Sequence, residues 1–360
     1  MYKLMHKDDV VAFMTEGGAQ TVFIPELMPE CLKHGAPLSY WLQYRSIDRH
    51  RSHSRQLAKM LRLSSYDDLD NVINAGHAVS ITDNWWIQAD SEDLVYRDLK
   101  KFNERLAEIA LTGSSSSESY DASNYGYTEL GTVGSYEKCW KFKNNNWYMY
   151  KHGSFEEQFS EYYAVKFLDS LGYRTPEYEI YKTTGVLGRT VYYTVTKDFT
   201  ENAKYDFEMF CNYFGDNDDE EFILSRLTDD MKKDYAQMIL FDAVLFNIDR
   251  HNQNVGFLRN SNSDEIIGLA PWFDYNLSLV STNQKLPEIT NNSLVKSMES
   301  NKILINILKT CNFPSIDEIK IAINYATAES KKAFVDYLDC SSIENYIINT
   351  YRYIYDVILR

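Results

Sequence analysis

Long apolar runs are missing from this sequence. Nowhere do 18 uncharged apolar residues stand together, so no membrane-spanning helix and no membrane partner are expected. The opening stretch MYKLMHKDDVVAF has no apolar core segment, so no secretory signal is expected either. Paired cysteines are missing too. The five present (Cys31, Cys139, Cys211, Cys311, Cys340) are odd in number, widely spaced and free of any CxxC pair. That pattern excludes a disulfide framework or a zinc ribbon and suits reduced thiols in the cytoplasm. Basic charge is in deficit: 37 Lys and Arg face 52 Asp and Glu, a net charge of −15. An extended nucleic-acid surface needs the opposite balance. A nucleotide site stays open, because a few cations and Mg²⁺ offset phosphate charge locally.

What is present is ordinary for a soluble globular protein, with 44% hydrophobic and 25% charged residues. A length of 360 residues favours two domains or one large bilobal domain. The 28 Tyr raise the aromatic share to 14%; tyrosine serves packing far more often than catalysis.

The most linker-like segment is TGSSSSESYDASNYG, residues 112–126, rich in Ser, Gly and Asn. The expected organisation is therefore a module over 1–112, a Ser-rich linker over 113–126, a small β-rich lobe over 127–200 and a helical lobe over 201–360. The first module reads as mixed and mostly helical. RQLAKMLRL and DLVYRDLKKFNERLAEIAL carry helical spacing, while GHAVSITDNWWIQ reads as a loop or short strand. After the linker, Cys139–Lys143 and Trp147–Lys151 around an Asn-rich turn predict a hairpin. Ser154 and Glu157 predict a capping box, and Phe155, Phe159, Tyr163, Phe167 and Leu171 recur every four residues before a stop at Gly172. YEIYKTT and RTVYYTVTKDF read as a second hairpin, DDMKKDYAQMILFDAVLF as a strong helix, and VGFLRNSNSDEIIGLAPWFDYN as two short strands around a polar turn, Asn260–Asp264, and then a loop. The remainder, from about Ser300, reads as helical, and Tyr275–Ser300, polar and rich in Ser, Thr and Asn, as a mobile loop. The fold class is α+β, bilobal and protein-kinase-like, with a small β-rich N-lobe, a larger helical C-lobe and an added N-terminal module.

The tetrapeptide IDRH occurs twice, at Ile47–His50 and at Ile248–His251. About 0.4 such coincidences are expected by chance in a chain this long. Around the first copy, Asp48 and its Arg/His neighbours predict a charged helical face, and His50 with His53 lacks a third metal ligand. The second copy has different surroundings. Asp249 precedes Asn254 by five residues, and Asp274 follows a predicted hairpin. Phosphoryl transfer needs Mg²⁺ on oxygen ligands, a cation on the phosphates and a carboxylate to orient the attacking hydroxyl. Asp249, Asn254 and Asp274 supply the carboxylate and the oxygens if the hairpin folds the chain back. Lys151, ending a strand, is placed to reach phosphates, although Lys138, Lys141 and Lys143 lie close by. Glu161, one helical turn past the capping Glu157, is placed to hold that lysine in an ion pair. Gly131 and Gly134 in GTVGSYEK permit close backbone approach to phosphate. His251 is grouped with the nucleotide-contacting residues, although a histidine in such a turn more often bonds the loop backbone. Arg250 is left between a solvent contact and a contact to the loop that follows.

DRHNQNVGFL followed by APWFDYNLSL resembles the C-terminal region of HipA-type serine/threonine kinases. Its D-R-H-x-x-N order is also similar to that of phosphatidylinositol kinases. The resemblance covers roughly Gly131 to Leu279 and is strongest from Asp249 to Asp274. It implies Asp249 as the catalytic Asp, Asn254 and Asp274 as Mg²⁺ ligands and Lys151 as the ATP lysine. It further implies Thr196, Lys197, Asp198 and Phe199 as the hinge at adenine. Autophosphorylation would fall on Ser135, with Ser114–Ser117 as exposed alternatives. Departures are the Tyr-Asn after Asp274, a Gly-rich segment unlike G-x-G-x-x-G, and an N-terminal module without clear likeness to the β-rich start of well-known HipA proteins. The expected function is ATP- and Mg²⁺-dependent phosphorylation of protein Ser or Thr hydroxyls, with an antitoxin-like regulator among the expected partners. The alternatives are a lipid or small-molecule kinase, or a kinase-shaped ATP-binding regulatory module.

Overall fold

The computed structural model describes residues 1–46, 52–60, 73, 76–113, 136–185, 188–281, 286–335 and 339–360. The first IDRH copy, including Asp48 and His50, lies outside them. So do Ser114–Ser117, Gly131, Gly134, Ser135 and all of the expected linker except Gly113. The chain forms two compact units, neither continuous in sequence. The first comprises Met1–His152, Val195–Glu208 and Phe257–Ile267; the second comprises Gly153–Thr194, Met209–Gly256 and Gly268–Arg360.

The first unit corrects the expectation of a mostly helical N-terminal module. Strands β1 (Tyr2–His6), β2 (Asp9–Thr15), β3 (Gly18–Val22) and β4 (Trp85–Ala89) form an antiparallel sheet in the order β3-β2-β1-β4. Alternation buries both faces. Leu4 lies opposite Ile87 in a core shared with α1 (Glu30–Lys33) and α2 (Leu38–Leu42), while Met5 lies opposite Trp86 in a cluster with Val79 and Leu99. Arg259, fully buried, ties the sheet's far connections together. It bonds Glu208 Oε2 at 2.7 Å, Met28 O at 3.0 Å, Glu26 O at 3.0 Å and Asp264 Oδ1 at 3.0 Å.

After the short α3 (Ser54–Met60), the long helix expected over 93–111 is confined to α4 (Glu104–Thr112). Asn103 caps it, accepting from Leu106 N at 3.0 Å, and Gly113 ends it at φ +70°. Upstream, Leu99 is drawn into the sheet's second core and the chain there makes only one 3-10 turn. Strands β5 (Lys138–Lys143) and β6 (Asn146–Lys151) form the predicted hairpin, with Asn144 and Asn145 at φ +48° and +61°.

Helix α5 (Phe155–Ser170) opens with the predicted capping box on Ser154 and Glu157. It is buried on nearly every side, from Gln158 to Val165, and not along one stripe. Strands β7 (Tyr178–Thr184) and β8 (Thr190–Lys197) follow as the predicted hairpin. The chain continues through β9 (Tyr205–Met209), α6 (Phe210–Phe214), α7 (Glu220–Arg226) and α8 (Asp229–Leu245). Next come β10 (Gly256–Asn260) and β11 (Ile266–Leu269), which join β9 in a sheet ordered β11-β10-β9. Helices α9 (Ser293–Ser300), α10 (Lys302–Leu308), α11 (Ile316–Ala333) and α12 (Ser341–Tyr353) complete the second unit. Its aromatic core joins Phe155, Phe159, Tyr192 and Phe334, and a second knot places Phe241 of α8 against Phe167, Tyr173, Trp272 and Tyr351. No described helix is long and apolar enough to cross a membrane.

Candidate functional site

Helix α8 ends at a left-handed residue that is not glycine: Phe246, at φ +52°. The chain that follows, residues 247–255, is the loop holding the second IDRH. It is fastened on three sides within its unit. Asn247 N donates to Asp242 O at 2.8 Å. The Asn252 amide donates to Gly215 O at 3.1 Å and Asn217 O at 2.8 Å, just past α6. Ile248 N donates to Leu277 O at 3.2 Å, and Leu279 N to Leu245 O at 2.9 Å, which runs the loop alongside the segment after Asp274. Two further left-handed residues, Asp274 at φ +60° and Leu279 at φ +48°, bend that segment. Such conformations cost roughly 1–3 kcal/mol each and persist where surroundings impose them.

Arg250 is the hub. Its Nε donates to Asp242 Oδ2 at 2.9 Å and its Nη2 to Asp242 Oδ1 at 3.0 Å. Its Nη1 donates to both Asn254 O and Phe273 O at 2.8 Å. One nitrogen thus holds the carbonyl of the expected metal-binding Asn and the carbonyl just before the expected metal-binding Asp. The guanidinium also lies over the Tyr275 ring, 4.9 Å from its centroid. Burial alone would lower its pKa; the Asp242 carboxylate, with Tyr275 and Asp274 adding to it, holds it above the ordinary value. Burial in turn pushes the Tyr275 phenol well up, with Asp242 adding to the effect. Arg250 is therefore no solvent contact. Asp242 and Asn252 escaped the sequence reading. A signal for Asp242 existed: an acid inside the apolar stretch MILFDAVLF needs a buried cation, and Arg250 stands eight residues on.

Asn254 is buried, and its side-chain Nδ2 donates to Asp249 O at 2.9 Å. That bond sets which way the amide points and leaves Oδ1 as its acceptor end. The same contact joins Asn254 to the residue expected to act on the substrate hydroxyl. Asp249 and Asp274 are both half-buried. His251 is exposed, and its Nδ1 accepts from Gln253 N at 3.2 Å, a backbone-bonding role. The segment leading to Asp274 is held from α8: Trp272 Nε1 donates to Asp234 Oδ1 at 2.9 Å, and Trp272 stacks on Tyr173 with ring centroids 4.7 Å apart.

Elsewhere in the same unit, Glu161 on α5 is buried and accepts from Tyr178 Oη at 3.1 Å and Thr194 Oγ1 at 3.3 Å. In the first unit, Lys151 ends β6 with its ammonium 5.4 Å from the Tyr136 ring centroid. The hinge expected at Thr196–Phe199 spans the end of β8 and the turn beyond it. Asp198 spends its carboxylate on that turn, accepting from Thr200 N at 2.9 Å, Thr200 Oγ1 at 2.7 Å and Asn202 N at 2.8 Å. Phe199 packs edge-on against Phe207. The Asp198 carboxylate is thus engaged within its own turn.

Among the described residues no group of three or more His, Cys, Asp or Glu gathers as a metal cage. A hard cation held by one or two oxygen side chains, with phosphate and water completing its shell, needs no such cage. An Asn oxygen and an Asp carboxylate on two fastened segments fit Mg²⁺ and do not fit zinc.

No protein-family model matches the chain, and no curated protein does. Solved structures do. The Helicobacter pylori proinflammatory kinase CtkA matches at 20% identity over 62% of this chain and 91% of that one, with a TM-score of 0.44. HipA of a Shewanella oneidensis toxin–antitoxin system, solved with HipB and operator DNA, matches at 14% identity with a TM-score of 0.56. That match covers 98% of this chain and 97% of the other, so it takes in the N-terminal sheet that seemed unlike HipA from sequence. The chain has the α+β fold of HipA.

Proposed function

We propose that this protein is an ATP- and Mg²⁺-dependent kinase that phosphorylates Ser or Thr hydroxyls of proteins, its own included. The observation that carries the reading is the shared nitrogen of Arg250, bonded at 2.8 Å to both Asn254 O and Phe273 O. It fastens the Asp249–Asn254 loop to the start of the Asp274 segment, as a two-segment metal and acceptor site requires. Asn254 Oδ1 and the Asp274 carboxylate would hold Mg²⁺, which neutralises phosphate charge when bound. Asp249 orients the acceptor hydroxyl and takes its proton. By the resemblance, Lys151 is proposed as the ATP lysine and Thr196, Lys197, Asp198 and Phe199 as the hinge at adenine. Autophosphorylation falls on Ser135 or on Ser114–Ser117. Since the HipA of similar fold was solved with HipB, an antitoxin-like partner protein is proposed here as well.

The test is incubation of the purified chain with labelled ATP and Mg²⁺, followed by mass spectrometry for phosphosites. Wild type should transfer label to protein Ser or Thr. Asp249→Asn should bind ATP and transfer none. Equal transfer by both, or none by wild type with ATP bound, would refute the reading; label moving only to lipid or a small molecule would replace the protein acceptor.

A further inference from the structure

In kinases switched on by phosphorylation, the loop after the metal-binding Asp is ordered when a phosphate arrives and pairs with arginine. The arginine must then be short of a counter-charge beforehand. Arg250, adjacent to Asp249, is not. The edge formed by Nε and Nη2 is the edge that grips a planar or tetrahedral anion at two points. It is already filled by Asp242, at 2.9 Å and 3.0 Å. Nη1 is spent on two carbonyls, and the flat face lies over Tyr275. Four of the five N–H groups of the guanidinium are engaged. Both partners of the ion pair are buried. A phosphate has no edge to bind without evicting Asp242.

The nearest hydroxyls say the same. Ser278 and Ser281 are buried, and Ser278 Oγ donates to Tyr275 O at 2.6 Å, so neither offers itself for modification. Among the described residues of the segment, the exposed hydroxyls are Thr290, Ser293, Ser297 and Ser300, farther along the chain.

We propose that the Asp242 carboxylate does permanently for Arg250 what a loop phosphate does in switched kinases, so that activity needs no phosphorylation of residues 275–300. Asp242 is then a positioning residue. The inference rests on the kinase reading above.

The decisive measurement is the initial rate of labelled phosphate transfer from ATP by the full chain, before and after broad-specificity phosphatase that is then removed. The same rate is taken for a variant with Thr282→Ala, Thr290→Ala, Ser293→Ala, Ser297→Ala and Ser300→Ala together. Both rates should stay within about twofold of untreated wild type or rise, since no loop phosphate is required. A loss of about tenfold or more in either, the signature of a phosphate-ordered loop, overturns the inference. Asp242→Asn should lower kcat by about tenfold or more with the KM for ATP little changed, and Asp242→Glu should restore part of it. Full activity in Asp242→Asn also overturns it. Should Asp242→Asn fail to fold, the phosphatase and alanine arms still decide. An untreated wild type that transfers nothing sinks the kinase reading, and this inference with it; a treated one that falls sinks the inference alone.

Discussion

Arg250 and Asp242 meet in a two-point buried ion pair, Nε to Oδ2 at 2.9 Å and Nη2 to Oδ1 at 3.0 Å. Removing one buried partner leaves the other uncompensated, at a cost of about 3–5 kcal/mol. Asp242→Ala should therefore shift the urea midpoint strongly downward. Asp242→Ala with Arg250→Met should be less damaged than the sum of the two single changes, because no lone charge remains buried. Strict additivity in that double-mutant cycle would show that the pair is not coupled.

Asn254 tests the metal assignment. Asn254→Ala removes both the acceptor Oδ1 and the Nδ2 donor to Asp249 O. Loss of one preorganised electrostatic contact lowers kcat by roughly 10²-fold or more. Asn254→Asp keeps an oxygen for the cation but loses the donor. It should keep a Mg²⁺ requirement at a midpoint no higher than wild type, while transferring more slowly. Titrating transfer rate against Mg²⁺ separates the two variants. An unchanged Mg²⁺ midpoint in Asn254→Ala would remove Asn254 from the ligand set.

Where one residue type dictates local geometry, the fold was legible in the sequence. Two asparagines between alternating strands foretold the β5–β6 turn, and Ser154 with Glu157 foretold the start of α5. Of the N-terminal sheet only β4 was legible in part, as the loop or short strand read in GHAVSITDNWWIQ. Its strands are five to seven residues long, and register shifts between Leu4 and Met5 and between Phe13 and Met14 break the period-2 pattern. In the candidate site, spacing proposed Asp249, Asn254 and Asp274, and Arg250 bonds the backbone of both segments that carry them. Asp242 and Arg250 were not paired: the acid within MILFDAVLF signals a buried cation, but the left-handed turn at Phe246 between the two has no glycine to announce it.

The hairpin turn offers a backbone test. Asn145 sits at φ +61°, a region closed to most side chains but open to glycine. Asn145→Gly should leave thermal stability within about 1 kcal/mol of wild type, since Asn-Gly suits this turn. Asn145→Val should lose about 1–2 kcal/mol and lower the melting temperature, a β-branched residue being strained there. If both melt alike, the turn does not hold the β5–β6 register that places Lys151.

Lys100 makes a prediction about alkaline pH. Its ammonium donates to Ile81 O at 3.3 Å and to Asp83 O. Burial pulls its pKa down from 10.5 to about 8, against the upward pull of Asp83, Asp198 and Asp206. Below about 8 the amine is charged in both folded and unfolded chains, and the cost of burying that charge is fully present. Between about 8 and 10.5 the unfolded chain holds the proton and the folded chain does not. Unfolding then takes up a proton, so this group's contribution to stability rises with pH across that window. Lys100→Met abolishes the titration while keeping an unbranched side chain. The melting temperature of wild type minus that of Lys100→Met should therefore climb from pH 8 to pH 10.5 and level off beyond. A difference that stays flat or falls across the window would mean that the ammonium keeps its proton in the fold, with the Asp83, Asp198 and Asp206 carboxylates outweighing burial.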